Sequence, residues 1–338
     1  MKRSHANGGD DKHPGRIPLV YILAASHSGS TLLAMLLNAH SEICTVGELK
    51  ATSLGDPDAY RCSCQQRIRE CTFWNGIHTD MAERGLAFDI TQAGTDIRYG
   101  ASAYVHRLLR PLHREPAVEF IRDLALSLSP VWRRQLPRIQ AMNSALMECV
   151  LARSGKRIIV DSSKIGIRLK YLLRNPRLDV RVIRLVRDGR GVALTYVDPE
   201  RFADAKDPQL RGGGAGTSRD AERVPMEEAA REWLRSNEEA EAILGQLDPA
   251  AWTEVRYEAL CAQPEKTLEK IYSFLGVDQG RSLSDFRAAE HHVVGNGMRL
   301  DANSEIQLDE RWRKNLRDSD LEIFNAVAGT MNRRLGYQ

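Results

Sequence analysis

Near the start of the chain, a run of small hydroxylated residues around one glycine stands between an apolar stretch and a helix-like stretch. The segment is Val20–Leu33, VYILAASHSGSTLL. Successive backbone N–H groups in such a turn, with the positive end of the helix behind them, form a nest for an anion. Gly29 lets a backbone approach closely, and Ser28, Ser30 and Thr31 add hydroxyl donors. An ordinary strand-to-helix turn with a serine N-cap uses the same residue types. A nucleotide-hydrolase loop needs Gly, four residues, then Gly-Lys-Ser/Thr. Here Ala24 stands for the first glycine and Ser30 for the lysine. Without that lysine the loop argues against a conventional ATPase or kinase.

Other chemistry-bearing residues follow. Arg187 ends an apolar run in Val182–Val197, VIRLVRDGRGVALTYV, with Thr195 eight residues on. A guanidinium binds phosphate as a planar fork, although a surface ion pair is the commoner fate of an arginine. Lys164 follows IIVDSS, where Asp161 mimics the magnesium-binding aspartate of a nucleotide hydrolase. The stretch His40–Lys50, HSEICTVGELK, offers Glu48 and His40 as rival proton acceptors. Cys62, Cys64 and Cys71, in RCSCQQRIRECTFW, form C-x-C-x6-C. That is not a standard zinc spacing, and a zinc site would want a fourth ligand, with Cys44 or His78 available. Reduced or disulfide-bonded structural cysteines are the favoured reading, and no metal is expected.

The elements that must position these groups alternate between strand-like and helix-like, as in a parallel sheet flanked by helices. Strands are expected at Pro18–Ala25, Arg157–Val160, Val180–Val186 and Trp252–Tyr257. Helical stripes run through Leu32, Leu33, Leu36 and Leu37, and through Leu136, Ile139, Asn143, Leu146 and Val150. Two more follow Met226, Ala230, Trp233, Asn237, Ala240 and Leu244, then Leu268, Ile271, Tyr272 and Leu275. These stripes are core. The 338 residues, 42% apolar and 28% charged, exclude disordered, collagenous and disulfide-rich classes. A net charge of +3 gives no argument for nucleic acid. No apolar stretch reaches the length of a membrane span, and the polar start lacks a secretory signal, so a cytoplasmic protein is expected.

The loop His27-Ser28-Gly29-Ser30-Thr31 and the Arg187…Thr195 segment together resemble the sulfotransferases that use 3′-phosphoadenosine 5′-phosphosulfate. The resemblance implies that the loop binds the 5′-phosphosulfate and that Arg187 and Thr195 hold the 3′-phosphate. His27 departs from the family's Arg or Lys, which implies a weaker or pH-dependent charge there. Val255–Val277 resembles the family's strand–turn–helix with Tyr257 near the nucleotide, and HHVVGNGMRL resembles its late closing loop, with Gly295, Asn296 and Arg299 as donor contacts. Lys164 is implied as a catalytic lysine. Glu48 resembles the base of the tyrosylprotein and carbohydrate branch, and cytosolic relatives use a histidine, for which His40 is the match.

The expected fold is therefore α/β, three-layered, with a central parallel sheet like that of P-loop nucleotide kinases. The expected organisation is a disordered tail at 1–17 and one domain at 18–338, with insertions at about 50–155 and 198–225. The expected reaction is sulfuryl transfer from 3′-phosphoadenosine 5′-phosphosulfate to a hydroxyl or amine. The acceptor is a small molecule, carbohydrate or peptide. The alternatives are a P-loop small-molecule kinase and a catalytically inactive nucleotide-binding relative. Nothing in the residues addresses oligomeric state.

Overall fold

The computed structural model describes residues 15–50, 54, 56–110, 116–203, 223–279 and 285–338. Most of the expected tail at 1–17 and of the expected insertion at 198–225 lies outside them.

Five strands form one all-parallel sheet in the order β2-β3-β1-β4-β5. They are β1 (Ile17–Ala24), β2 (Ile43–Thr45), β3 (Ile158–Lys164), β4 (Leu178–Val186) and β5 (Trp252–Arg256). β1 is central and pairs with β3 on one side (Val20 opposite Val160) and β4 on the other (Val20 opposite Arg181). Its near-continuous apolar run follows from burial on both faces. Leu19, Tyr21 and Leu23 face one core with α2 (Thr72–Glu83) and α5 (Pro130–Ser154). Val20, Ile22 and Ala24 face the other, with α1 (Ser30–Asn38) and α11 (Pro264–Leu275). Three layers result.

The expected strands appear within four residues of their expected bounds, and each helical stripe falls within one helix. Asn143, Trp233, Asn237, Leu268 and Leu275 of the stripes are all buried. Three local differences have physical causes. β2 has only three residues, too few for a visible alternation, and it pairs with β3 at the sheet edge. β3 continues past Val160 to Lys164 through Asp161, Ser162 and Ser163. Its polar residues are buried because Asp161 accepts from the Ser163 N–H (2.9 Å) and pairs with Arg168 (3.0 Å) in α6 (Gly166–Leu173). Arg168 also donates to the Thr95 carbonyl (2.7 Å) and to Asn143 Oδ1 (2.8 Å). Removing one partner of so buried a pair costs about 3–5 kcal/mol. Finally, the segment expected as an insertion at 50–155 supplies α2 and α5, whose Trp74, Ile77, Leu146 and Val150 belong to the main core.

Candidate active site

Ligands of open α/β sheets bind beyond the carboxyl ends of the strands. In this sheet each of the five strands brings one candidate group to that edge. β1 runs into the loop 25–29, β2 leads through Val46 and Gly47 to Glu48, and β3 ends on Lys164. β4 is followed by Arg187, and β5 by Tyr257 at the start of α10 (Tyr257–Ala262). All of these line one cavity of about 790 Å³, with Thr195, Gly295 and Asn296.

The loop is shaped for an anion. His27 and Gly29 adopt left-handed φ of 61° and 89°. A Cβ at position 29 would lie 2.5 Å from Tyr257 Cδ2, so only glycine lets the loop seat on that ring. Gly29 is the N-cap of α1 and no side chain caps the helix, so the serine-capped turn does not form. The first helical N–H groups, which have no intrahelical partners, are thus left without a capping side chain. Ser28 Oγ is buried with no hydrogen-bond partner. An uncapped helix and an orphan hydroxyl suit an anionic group.

Arg187 donates from Nη1 to the His27 carbonyl oxygen (2.8 Å) and from Nη2 to Asp309 Oδ2 (3.0 Å). Its guanidinium also lies 4.4 Å from the Tyr257 ring centroid. Thr195, in α7 (Gly189–Val197), donates its hydroxyl to the Gly191 carbonyl (3.2 Å).

Lys164 and Glu48 form an ion pair inside the cavity. Lys164 itself sits at a left-handed φ of 71°. Glu48 is set by its neighbour: Gly47 has φ of 82° and pairs with Val294, and the Glu48 N–H donates to the Val294 carbonyl (3.2 Å). Burial pushes the Glu48 carboxyl up, as a general base requires, but the Lys164 and Lys50 charges outweigh it and leave it below its ordinary value. His27 carries no charge near neutrality. Burial, then the Lys164 and Arg187 cations, bring its ring down to about 3. The expected charge of His27 on the 5′-phosphate is thus absent in the unliganded protein.

Two sequence candidates lie elsewhere. His40 is buried at the other end of α1, where its Nδ1 accepts from the Glu42 N–H (3.1 Å) and Nε2 donates to the Asp278 carbonyl (2.8 Å). Both ring nitrogens are engaged away from the cavity. Arg299 does not line the cavity either. It is fully buried, donating to the Gly295 and Arg61 carbonyls (2.6 Å each), because it pins the late loop rather than facing a ligand. Asn296 does line the cavity, but its amide ties to the Ala203 carbonyl (2.6 Å) and its Oδ1 caps Met298 (3.0 Å). Asp161, spent on Arg168 and the β3 backbone, offers no magnesium site.

Sequence reasoning missed Lys50, Arg287, Asp309 and Arg311, all of which line the cavity. Lys50 was findable, lying two residues past Glu48 in the extended stretch GELK. The others come from irregular chain after residue 285, which has no periodicity to read.

Fold and site together define a three-layer α/β protein with a cation-lined cavity at the strand ends. Residues 133–280 match the model of the sulfotransferase family. This stretch includes Lys164, Arg187, Thr195 and Tyr257, while the phosphate loop and Glu48 precede it. Human carbohydrate sulfotransferase 2 is 28% identical over 176 residues, 43% of this chain and 32% of its own length. Mouse carbohydrate sulfotransferase 5 is 28% identical over 176 residues, 49% of this chain and 44% of its own. The chain thus spans about a third to under half of the length of these relatives. The sulfotransferase domain of the Synechococcus PCC 7002 olefin synthase is 18% identical, covers 94% of this chain and 96% of its own, and has a TM-score of 0.48.

Proposed function

We propose that the chain transfers a sulfuryl group from 3′-phosphoadenosine 5′-phosphosulfate to a hydroxyl of a carbohydrate acceptor. The observation that carries this reading is the Glu48–Lys164 ion pair, held at the strand ends beside an uncapped, lysine-free phosphate loop. The carbohydrate class is supported by the names of the relatives. The loop Ser26–Thr31 holds the 5′-phosphosulfate, and Arg187 and Thr195 hold the 3′-phosphate beside Tyr257. The acceptor oxygen attacks sulfur, the bond from sulfur to the bridging oxygen breaks, and 3′,5′-adenosine bisphosphate leaves with that electron pair. Lys164 stabilises the charge appearing on the bridging oxygen, and Glu48 takes the acceptor's proton. The pair couples the two roles. When the donor's anionic groups draw Lys164 away, Glu48 loses the charge that weakens it as a base.

Six free cysteines support a reducing compartment as the place of this reaction, and the cytoplasm is the location we infer. Among the described residues, no helix is long and apolar enough to cross a membrane.

The reading is tested with sulfate-labelled donor and a panel of sugars, peptides and small phenols, in excess EDTA. Label on a sugar hydroxyl without added magnesium supports it. Magnesium-dependent turnover of ATP on the same panel moves the kinase alternative ahead. Tight binding of 3′,5′-adenosine bisphosphate with no transfer to any acceptor leaves the inactive relative.

A further inference from the structure

Four side chains that the transfer chemistry leaves unused converge between the cysteine-rich loop and the late loop. Cys62, Cys64, Cys71 and His292 bring three sulfurs and a ring nitrogen within 4.8 Å of one another. Cys64 Sγ is 3.7 Å from Cys71 Sγ, and His292 Nδ1 is 3.4 Å from Cys71 Sγ and 3.8 Å from Cys62 Sγ. Bonds of ~2.3 Å to sulfur and ~2.0 Å to nitrogen at tetrahedral angles put ligand atoms about 3.5–3.8 Å apart. These three separations lie close to those edges, and the remaining ones stay within 4.8 Å. A disulfide instead needs two sulfurs at ~2.05 Å, and all six cysteines are free.

The histidine is oriented for ligation. Its Nε2 lies 3.0 Å from Glu290 Oε1, so Nε2–H donates to the carboxylate and Nδ1 turns its lone pair toward the sulfurs. That carboxylate–histidine arrangement recurs behind metal-bound imidazoles. The ring also stacks on Phe73 at 4.4 Å. Cys62 and Cys71 are buried and Cys64 is half-exposed, which leaves a way in.

We propose that Cys62, Cys64, Cys71 and His292 bind one structural zinc ion. Three thiolates and an imidazole suit zinc, and four protein ligands leave no open position for catalysis. Binding releases the thiol protons to solvent. This departs from the expectation of no metal, which rested on the non-standard spacing C-x-C-x6-C, and from Cys44 or His78 as the fourth ligand. Cys44 lies in β2 with its thiol against the Ile158 carbonyl (3.5 Å), and His78 Nδ1 faces the Phe88 carbonyl (2.5 Å). The fourth ligand comes 221 residues after Cys71.

The ion would staple the cysteine loop to the segment that sets Glu48. Ser63 donates its N–H to the Val293 carbonyl (3.2 Å), and the Val293 N–H donates to Ser63 Oγ (2.7 Å). The next residue, Val294, is the one paired with Gly47 and bonded to the Glu48 N–H. The zinc is a positioning device two residues from that bridge.

The full chain, produced in zinc-supplemented medium without a metal-affinity tag and purified reduced, is assayed for metal by mass spectrometry. One zinc per chain is expected, falling to background in Cys71→Ser and His292→Ala and retained in Cys44→Ser. Because a zinc-free variant can fail to fold, the wild-type chain is also loaded with cobalt. Visible bands of tetrahedral cobalt with thiolate charge transfer are expected. A reduced wild-type chain with neither stoichiometric zinc nor those cobalt bands overturns the site. So does a disulfide between any two of the three cysteines in freshly isolated protein.

Discussion

Arg187 donates to the Asp309 carboxylate at 3.0 Å while its other terminal nitrogen holds the His27 carbonyl at 2.8 Å, so one guanidinium joins the phosphate loop to the chain at 301–311. Burial pushes the Asp309 carboxyl up, but the Arg311 hydrogen bond and the Arg187 charge hold it well below the usual carboxylate range. Asp309 thus stays an anion on the arginine assigned to the 3′-phosphate, and an incoming phosphate must compete with it. Arg187→Ala should weaken 3′,5′-adenosine bisphosphate about 10- to 100-fold, the size of a lost charged hydrogen bond. Asp309→Asn should tighten it by up to about tenfold by removing the competitor. Calorimetric titration of the three proteins decides; equal affinities would remove Arg187 from the donor site.

Glu48→Gln keeps the side chain's shape and removes its basicity. Turnover should fall by about 10²–10⁴, with bisphosphate affinity unchanged. Because Lys164 and Lys50 hold the carboxyl below its ordinary value, the acidic limb of kcat/KM should lie below the normal glutamate range. In the Gln variant that limb should vanish. His40→Asn should lower thermal stability through the lost Asp278 contact and leave turnover intact. A variant pair behaving the other way round makes the histidine the base.

The strands and the order of motifs were legible because burial on both sheet faces and helical periodicity leave marks in single segments. Arg187 stood out for the same reason, since it ends an apolar run, whereas Lys164 and Tyr257 were singled out by the family resemblance. What was illegible depends on contacts between distant segments. His292 joins Cys71 across 221 residues, and Asp309 joins Arg187 across 122. Arg299 was expected as a donor contact from the resemblance of the late loop alone, and packing places its guanidinium on the Gly295 and Arg61 carbonyls. His40 was undecided for a like reason, since its partner Asp278 lies beyond α11.

His27 gives the fold a dependence on pH. Burial and the neighbouring Lys164 and Arg187 bring its folded value to about 3, while Glu48 pulls the other way. In the unfolded chain it titrates near 6.5. Between those values the unfolded state binds the extra proton, so stability rises with pH. The contribution is full above about 6.5 and is lost as pH falls toward 3. His27→Asn should flatten the fall of denaturation midpoint between pH 6.5 and 4 relative to wild type. Parallel curves for the two proteins would show that the ring is not held neutral.

The Gly47–Val294 bridge can be tested by a single methyl group. At φ of 82°, a Cβ on residue 47 would sit 2.1 Å from the Val294 carbonyl oxygen and 2.8 Å from Val293 Cγ1. Backbone atoms there cannot swing aside as a flexible side chain would, so Val294 and the Glu48 segment must part. Gly85 supplies the control, since it has φ of 73° with nothing within 4 Å of an added Cβ. Gly85→Ala should cost only the left-handed strain, about 1–2 kcal/mol. Gly47→Ala should cost more, at roughly 2–4 kcal/mol in denaturant unfolding. Its turnover should drop as Glu48 is displaced, while bisphosphate affinity, set by Arg187 and the phosphate loop, is kept. If Gly47→Ala matches Gly85→Ala in stability and wild type in turnover, the bridge does not hold Glu48 in place.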